Sequence, residues 1–171
     1  ADFKTAAPPV VATNEASDVT TTSAKLNGTL TSRGSAASVN VSFEYGTTSG
    51  GPYTAVAAGT LTAPGTFSAS IGSLTAGTRY YFRTKAVGIG TAYGTEKSFT
   101  AGTTPPTVTT IDAGNVTATS ATLKGNLALL GTATSVAVSF EYATTPGGPY
   151  ETVTAGDRET TGDFSADVDG L

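Results

Sequence analysis

The densest gathering of chemically capable groups is acidic: Asp157, Glu159, Asp163, Asp167 and Asp169 crowd the end of the chain. Carboxylate oxygens are the hard donors that calcium takes. Asp167 and Asp169 alternate, however, as residues on a solvated strand face do. The matching stretch earlier in the chain carries Thr60, Thr62, Thr66, Ser70 and Gly72 in their places. A solvated face is therefore the expectation, with calcium as the alternative. A second strip is basic and aromatic, with Arg79, Tyr81, Arg83 and Lys85 on alternate positions. It suits contact with anionic glycans or a neighbouring domain, or cross-strand pairing with Glu44. The charge pair is the reading adopted.

Catalysis has little to use. His and Cys are absent, which removes Ser–His and Cys–His nucleophile pairs, histidine metal sites and disulfides. No spacing sets two carboxylates around one substrate. The expectation is a protein that is not an enzyme, with no catalytic residues, cofactor or resident metal. Asn27-Gly-Thr29, Asn40-Val-Ser42 and Asn115-Val-Thr117 match the N-glycosylation acceptor pattern, making Asn27, Asn40 and Asn115 candidate sugar sites. Gly-Gly-Pro-Tyr, at Gly50–Tyr53 and Gly147–Tyr150, is a turn signature in which the glycines take positive φ. A formal charge of −4 without a basic patch argues against nucleic acid, and no apolar run is long enough for a membrane span.

The elements that must position these groups repeat. Pro8 to Leu74 recurs without a gap as Pro105 to Leu171, with more than half of the positions identical. Val39–Tyr53 against Val136–Tyr150 is the clearest match. Within the first copy, Ala24, Leu26, Gly28 and Leu30 alternate with polar residues. Val39, Val41, Phe43 and Tyr45 do the same, as do Tyr80, Phe82, Thr84 and Ala86. This period of two predicts strands with one buried face. Seven such segments, near Val10, Leu26, Val41, Val56, Phe67, Phe82 and Phe99, predict a two-sheet sandwich with Greek-key connections.

Leu74-Thr-Ala-Gly-Thr78-Arg-Tyr80-Tyr-Phe82 resembles the E–F corner of fibronectin type III domains. FEYGTT, YYFRTKAVGIGTAYG and KSFTAGTTPP resemble the fibronectin III-like repeats of prokaryotic secreted and surface proteins. The resemblance implies an all-β fold of tandem immunoglobulin-like sandwiches and makes Tyr80 the structural tyrosine of the corner. The family's strand-B Trp is missing; Leu26 and Gly28 stand in that region.

The expected organisation is residues 1–7 as the tail strand of a preceding repeat or a donor strand, 8–104 as a first domain, and 105–171 as a second lacking its last two strands. Two accounts of those ends are open. One is a stretch of a longer array. The other is strand exchange, with Asp2, Phe3, Lys4, Thr5 and Ala6 of a neighbour pairing with the second domain. Pro8-Pro9 and Pro105-Pro106 stiffen the joints. The function expected is a structural segment of an extracellular or cell-surface protein (stalk, sheath or filament), partnered by copies of itself or by adjacent repeats. The alternative is an adhesin or carbohydrate-associated spacer that meets surface glycans.

Overall fold

The alternating segments become strands, and they build two units of the same design. A computed structural model describes residues 6–171; Asp2, Phe3, Lys4 and Thr5 lie outside the described residues. The chain divides into a unit ending at Thr103 and another beginning at Thr104. The first holds β1 (Val10–Thr13), β2 (Ala24–Ser32), β3 (Val39–Gly46), β4 (Thr54–Leu61), β5 (Gly65–Ile71), β6 (Arg79–Gly88), β7 (Gly90–Tyr93) and β8 (Lys97–Thr100). One sheet runs β1-β2-β5, the other β4-β3-β6-β7, with β8 also paired to β6. All pairings are antiparallel, and the fold is an all-β sandwich. Sequence periodicity finds seven strands and misses β7. That strand is short, its residues are mostly exposed, and it folds back on β6 through Ile89.

The inner faces are those that the alternation marks. Leu26, Leu30, Val39, Phe43, Phe82 and Ala86 are fully buried between the sheets. Gly28 is buried opposite Phe67, and a β-carbon there would lie 2.5 Å from Thr84 Cγ2 and 2.8 Å from Phe67 Cζ. The space left by the missing side chain is thus filled by the Phe67 ring, which packs 5.2 Å from Phe43. That local swap explains how the core closes without a Trp.

Two buried polar side chains stand out, Thr13 and Thr84. Between the stretches of β6 that pair with β7 and with β8, the ladder is broken at Thr84. There Thr84 N donates to Thr13 Oγ1 at 3.0 Å, the two hydroxyls lie 3.1 Å apart, and Gly94 N donates to Thr84 O at 3.0 Å. A side chain from one sheet therefore stands in for a backbone partner in the other.

The second unit contains β9 (Thr107–Gly114), β10 (Ser120–Leu129), β11 (Val136–Tyr142), β12 (Glu151–Arg158) and β13 (Gly162–Asp169). They form a sheet β13-β10-β9 and a pair β11-β12. Registers match the first unit, including the bulge between Val41 and Ser42 and its equivalent between Val138 and Ser139. Its smaller core gathers Leu127, Val138, Phe140 and Phe164, with Phe140 and Phe164 5.1 Å apart.

Replacing Thr13 by Val removes the acceptor of a buried N–H, so the first unit should lose about 1–3 kcal/mol of stability. Thr110, its exposed equivalent in the second unit, should tolerate the same change within about 0.5 kcal/mol. Urea unfolding of the two variants beside the parent chain checks both.

Candidate functional site

Because alternate residues of β6 point out of the sandwich, Arg79, Tyr81, Arg83 and Lys85 share one outer face. Register sets Arg83 opposite Glu44 on β3. Arg83 Nη2 and Nε donate to Glu44 Oε2 at 2.8 and 3.0 Å, and Lys85 Nζ donates to Oε1 at 2.9 Å. The Glu44 side chain is only 12% exposed. Burial by itself would raise its carboxyl, but the hydrogen bonds from Lys85 and Arg83 outweigh it and hold the group below the ordinary value. Both cations are held above theirs, chiefly by hydrogen bonding to Glu44.

Aromatic rings extend this pair into a ladder. The Arg83 guanidinium lies 4.7 Å from the Tyr53 ring centroid and 4.2 Å from that of Tyr93, and Lys85 Nζ lies 5.7 Å from Tyr93. The Tyr53 hydroxyl donates to Glu96, whose carboxylate also accepts from Ser49 Oγ at 2.6 Å and Gly50 N at 3.0 Å. Those donors, Ser49 first, hold Glu96 below its usual value, and the bond to Glu96 raises the Tyr53 phenol. Each half-exposed cation–π contact is worth about 0.5–1 kcal/mol. The cluster is a fixed, flat surface of rings and compensated charges. Rings and paired charges arranged in this way suit surface contact.

Arg79 stands apart at the end of the strip, its guanidinium 5.4 Å from the Tyr81 ring and donating to Ser98 Oγ at 2.8 and 3.2 Å. The Tyr80 hydroxyl accepts from Thr75 N at 2.9 Å, tying the loop before β6 to the strand, and its ring stacks 5.6 Å from Phe99. Sequence reasoning found Glu44, Arg83 and Lys85 but missed Tyr93 and Glu96, and it took Tyr53 only as a turn residue. Tyr93 sits on the strand that periodicity overlooked. Glu96 meets Ser49 through a fold contact with no local pattern.

The remaining candidates are dispersed. Asp163 and Asp167 are exposed on β13 and accept from Asn126 Nδ2 and Thr122 Oγ1, each at 2.7 Å. Asp157 lies on β12, Asp169 ends β13, and Glu159 falls in the turn between them. Among the described residues no three of these groups converge as metal ligands. Asn40 and Asn115 are exposed. Asn27 is half-buried, and its Nδ2 donates to Glu15 O at 2.9 Å and Ser17 Oγ at 3.1 Å; a sugar on that nitrogen would cost these bonds. Ala6 is exposed and outside the strands. No helix among the described residues is long and apolar enough to cross a membrane.

No protein-family model matches the chain, and no curated protein does. Among solved structures, the chain is similar to the sensor domain of the anti-sigma factor RsgI4 of Pseudobacteroides cellulosolvens. The short form of that domain is 26% identical over 56% of this chain and 95% of that one, with a TM-score of 0.45. The long form is 26% identical over 55% and 89%, with a TM-score of 0.42. A solution structure of it is 26% identical over 55% and 75%, with a TM-score of 0.44.

Carboxylates with lowered values favour the folded state above the ordinary value of 4.5, and that contribution is lost as the pH falls through the folded value. Glu44→Gln should therefore lower stability at neutral pH and flatten its decline on acidification. Urea midpoints measured from about pH 7 down to about pH 2 check the slope; an unchanged slope would place the acid sensitivity elsewhere.

Proposed function

We propose that the chain is a structural spacer segment of an extracellular or cell-surface protein, built as an array of β-sandwich repeats of the fibronectin III-like kind. One observation carries the reading: both units hold the peptide entering them by the same device. Ser35 N donates to Ala7 O and Thr132 N donates to Thr104 O, each at 2.9 Å. The residue before each bond is a glycine at positive φ, Gly34 (60°) and Gly131 (64°). A β-carbon on either would collide with the carbonyl of Ala7 or Thr104. At the exit of the first unit, Ala101 N donates to Thr78 O at 2.9 Å and Gly102 N to Thr20 O at 2.8 Å. The peptide is thus tied to the first unit through Gly102 and to the second from Thr104. A spacer needs joints of this kind, short and bonded on both sides, with a proline pair immediately after. The Thr- and Ser-rich outer faces keep such a module solvated.

Labelling of intact source cells with a membrane-impermeant amine reagent tests the location. Modification of Lys25, Lys85 and Lys124 before lysis supports the reading, and modification only after lysis overturns it. The joint has its own test. Gly131→Val should free the Thr104–Pro106 entry and speed amide hydrogen exchange at Thr132, whose N–H donates to Thr104 O, by about tenfold, as read by nuclear magnetic resonance.

A second reading, contact with anionic surface glycans, is favoured by Arg79, whose charge has no acidic partner among the described residues, beside the Tyr81 ring. Retention on a sulfated-glycan column at low salt that is lost in Arg79→Ala would support it. Equal elution of both proteins would remove it.

A further inference from the structure

Both units carry a hollow at the same place on their three-stranded sheet, and they furnish it differently. In the first unit it measures about 380 Å³ and is lined by Asn14, Lys25, Asn27, Thr66 and Ser68. It stays open there with β6, β7 and β8 all in place, so it belongs to the three strands themselves. In the second unit it measures about 410 Å³, and Ile111, Lys124, Asp163 and Ser165 stand at the positions of Asn14, Asn27, Thr66 and Ser68. Arg158 joins the lining from β12. Its counterpart, Leu61, packs instead against the first unit's core.

Arg158 is the odd member. Its guanidinium lies 5.9 Å from the Phe164 ring centroid, and its Nε is buried without a hydrogen-bond partner among the described residues. A buried donor left unmet is uncommon in folded proteins and calls for a reason. Lys124 is exposed, with its Nζ over Gly114, where a β-carbon would lie 2.6 Å away. Asp163 accepts from Asn126 Nδ2 through Oδ1 alone, which leaves Oδ2 open. Two cations and a carboxylate thus line one hollow, and none of the three forms an ion pair among the described residues.

We propose that the hollow of the second unit binds a carboxylated sugar. Arg158 and Lys124 hold the carboxylate by charge-assisted hydrogen bonds. Asp163 and Ser165 take the hydroxyls, and Ile111, 42% exposed, offers the apolar surface on which a sugar ring rests. The mixture of charges selects this class of ligand. A neutral sugar would leave Arg158 unmet, and a bare anion would face Asp163 with nothing to donate to it. A ring bearing both a carboxylate and hydroxyls answers all three groups. The first unit, with Leu61 and Asn27 in place of the two cations, lacks the site. This deepens the anionic-glycan reading at a place separate from Arg79, on another sheet and in the other unit.

The test titrates the isotope-labelled full chain with sodium galacturonate and follows the backbone amides by nuclear magnetic resonance. Galactose and sodium acetate serve as the neutral sugar and the bare carboxylate. Galacturonate should shift the amides of Lys124, Gly125, Arg158 and Ser165 saturably, and bind about tenfold more tightly than either control. Arg158→Leu and Lys124→Asn each install the first unit's own residue. Arg158→Leu should weaken binding by about tenfold while its urea midpoint stays at or above that of the parent. Lys124→Asn, on the exposed side, gives the same reading should Arg158→Leu fail to fold. Acetate binding as tightly as galacturonate would mean a site for a bare anion and overturn the proposal. So would equal shifts in the parent and the variants, or no saturable shift at these amides. Shifts confined to Arg79 and Tyr81 would overturn it while supporting the Arg79 reading.

Discussion

A sandwich of this size is held shut by its central strand, and here that strand is β6. One face of β6 supplies Tyr80, Phe82, Thr84 and Ala86 to the core; the other supplies Arg83 and Lys85 to the outer ladder. The period of two makes these roles inseparable, since a shift of one residue would exchange them wholesale. The Thr13–Thr84 contact then ties β6 to the opposite sheet at the place where its own ladder is interrupted. Among the described residues, the second unit shows the counterparts of β1–β5 without such a cover. Its central residues Leu127, Val138 and Phe140 stay buried, but the peripheral layer around Val108 and Thr110 opens. Burial at the centre therefore comes from the two facing sheets alone, and burial at the rim comes from β6 and β7.

Much of this was legible in the amino-acid sequence, for a physical reason. Strands with one wet and one dry face write their orientation into every second residue. Leu26, Val41, Phe43 and Phe82 could thus be assigned to the interior, and Glu44 to the side of Arg83, before any fold was known. The gapless repeat doubled those observations that fall within Pro8–Leu74, but not those on Phe82 and Arg83. What stayed hidden depends on contacts remote in sequence or on backbone shape. Glu96 receives Ser49 and Tyr53 only because the β3–β4 turn comes beside the β7–β8 connection. Thr13, one Thr among many, is buried because a ladder gap faces it. Gly28 offers no periodic signal of being a seat for Phe67. Asn27 read as a free surface amide, yet it is spent on Glu15 and Ser17 where the chain leaves β1.

The outer ladder and the buried core also differ in how substitution is tolerated. The ladder is built of compensated groups: Glu44 is met by Arg83 and Lys85 on the adjoining strand, and Glu96 by donors of the β3–β4 turn. Across the repeat, Glu44 and Tyr53 recur as Glu141 and Tyr150, while the acidic β13 replaces the Ser- and Thr-bearing β5. Surface chemistry varies on the other sheet too, where Thr54, Thr60 and Leu61 give way to Glu151, Asp157 and Arg158; the repeats share a packing plan and differ in what they present.

The entry clamp has a mechanical consequence. Tension on the peptide ahead of a unit reaches the β2–β3 turn at Ser35, or its equivalent at Thr132, before it reaches the first strand. One backbone hydrogen bond at that turn would yield first and release only the few residues up to Val10 or Thr107. The first strand's ladder would be loaded only after that slack was drawn out. In the first unit that release would also draw out the buried Pro9, whereas Pro106 is already exposed, so the second unit's entry would give way at the lower force.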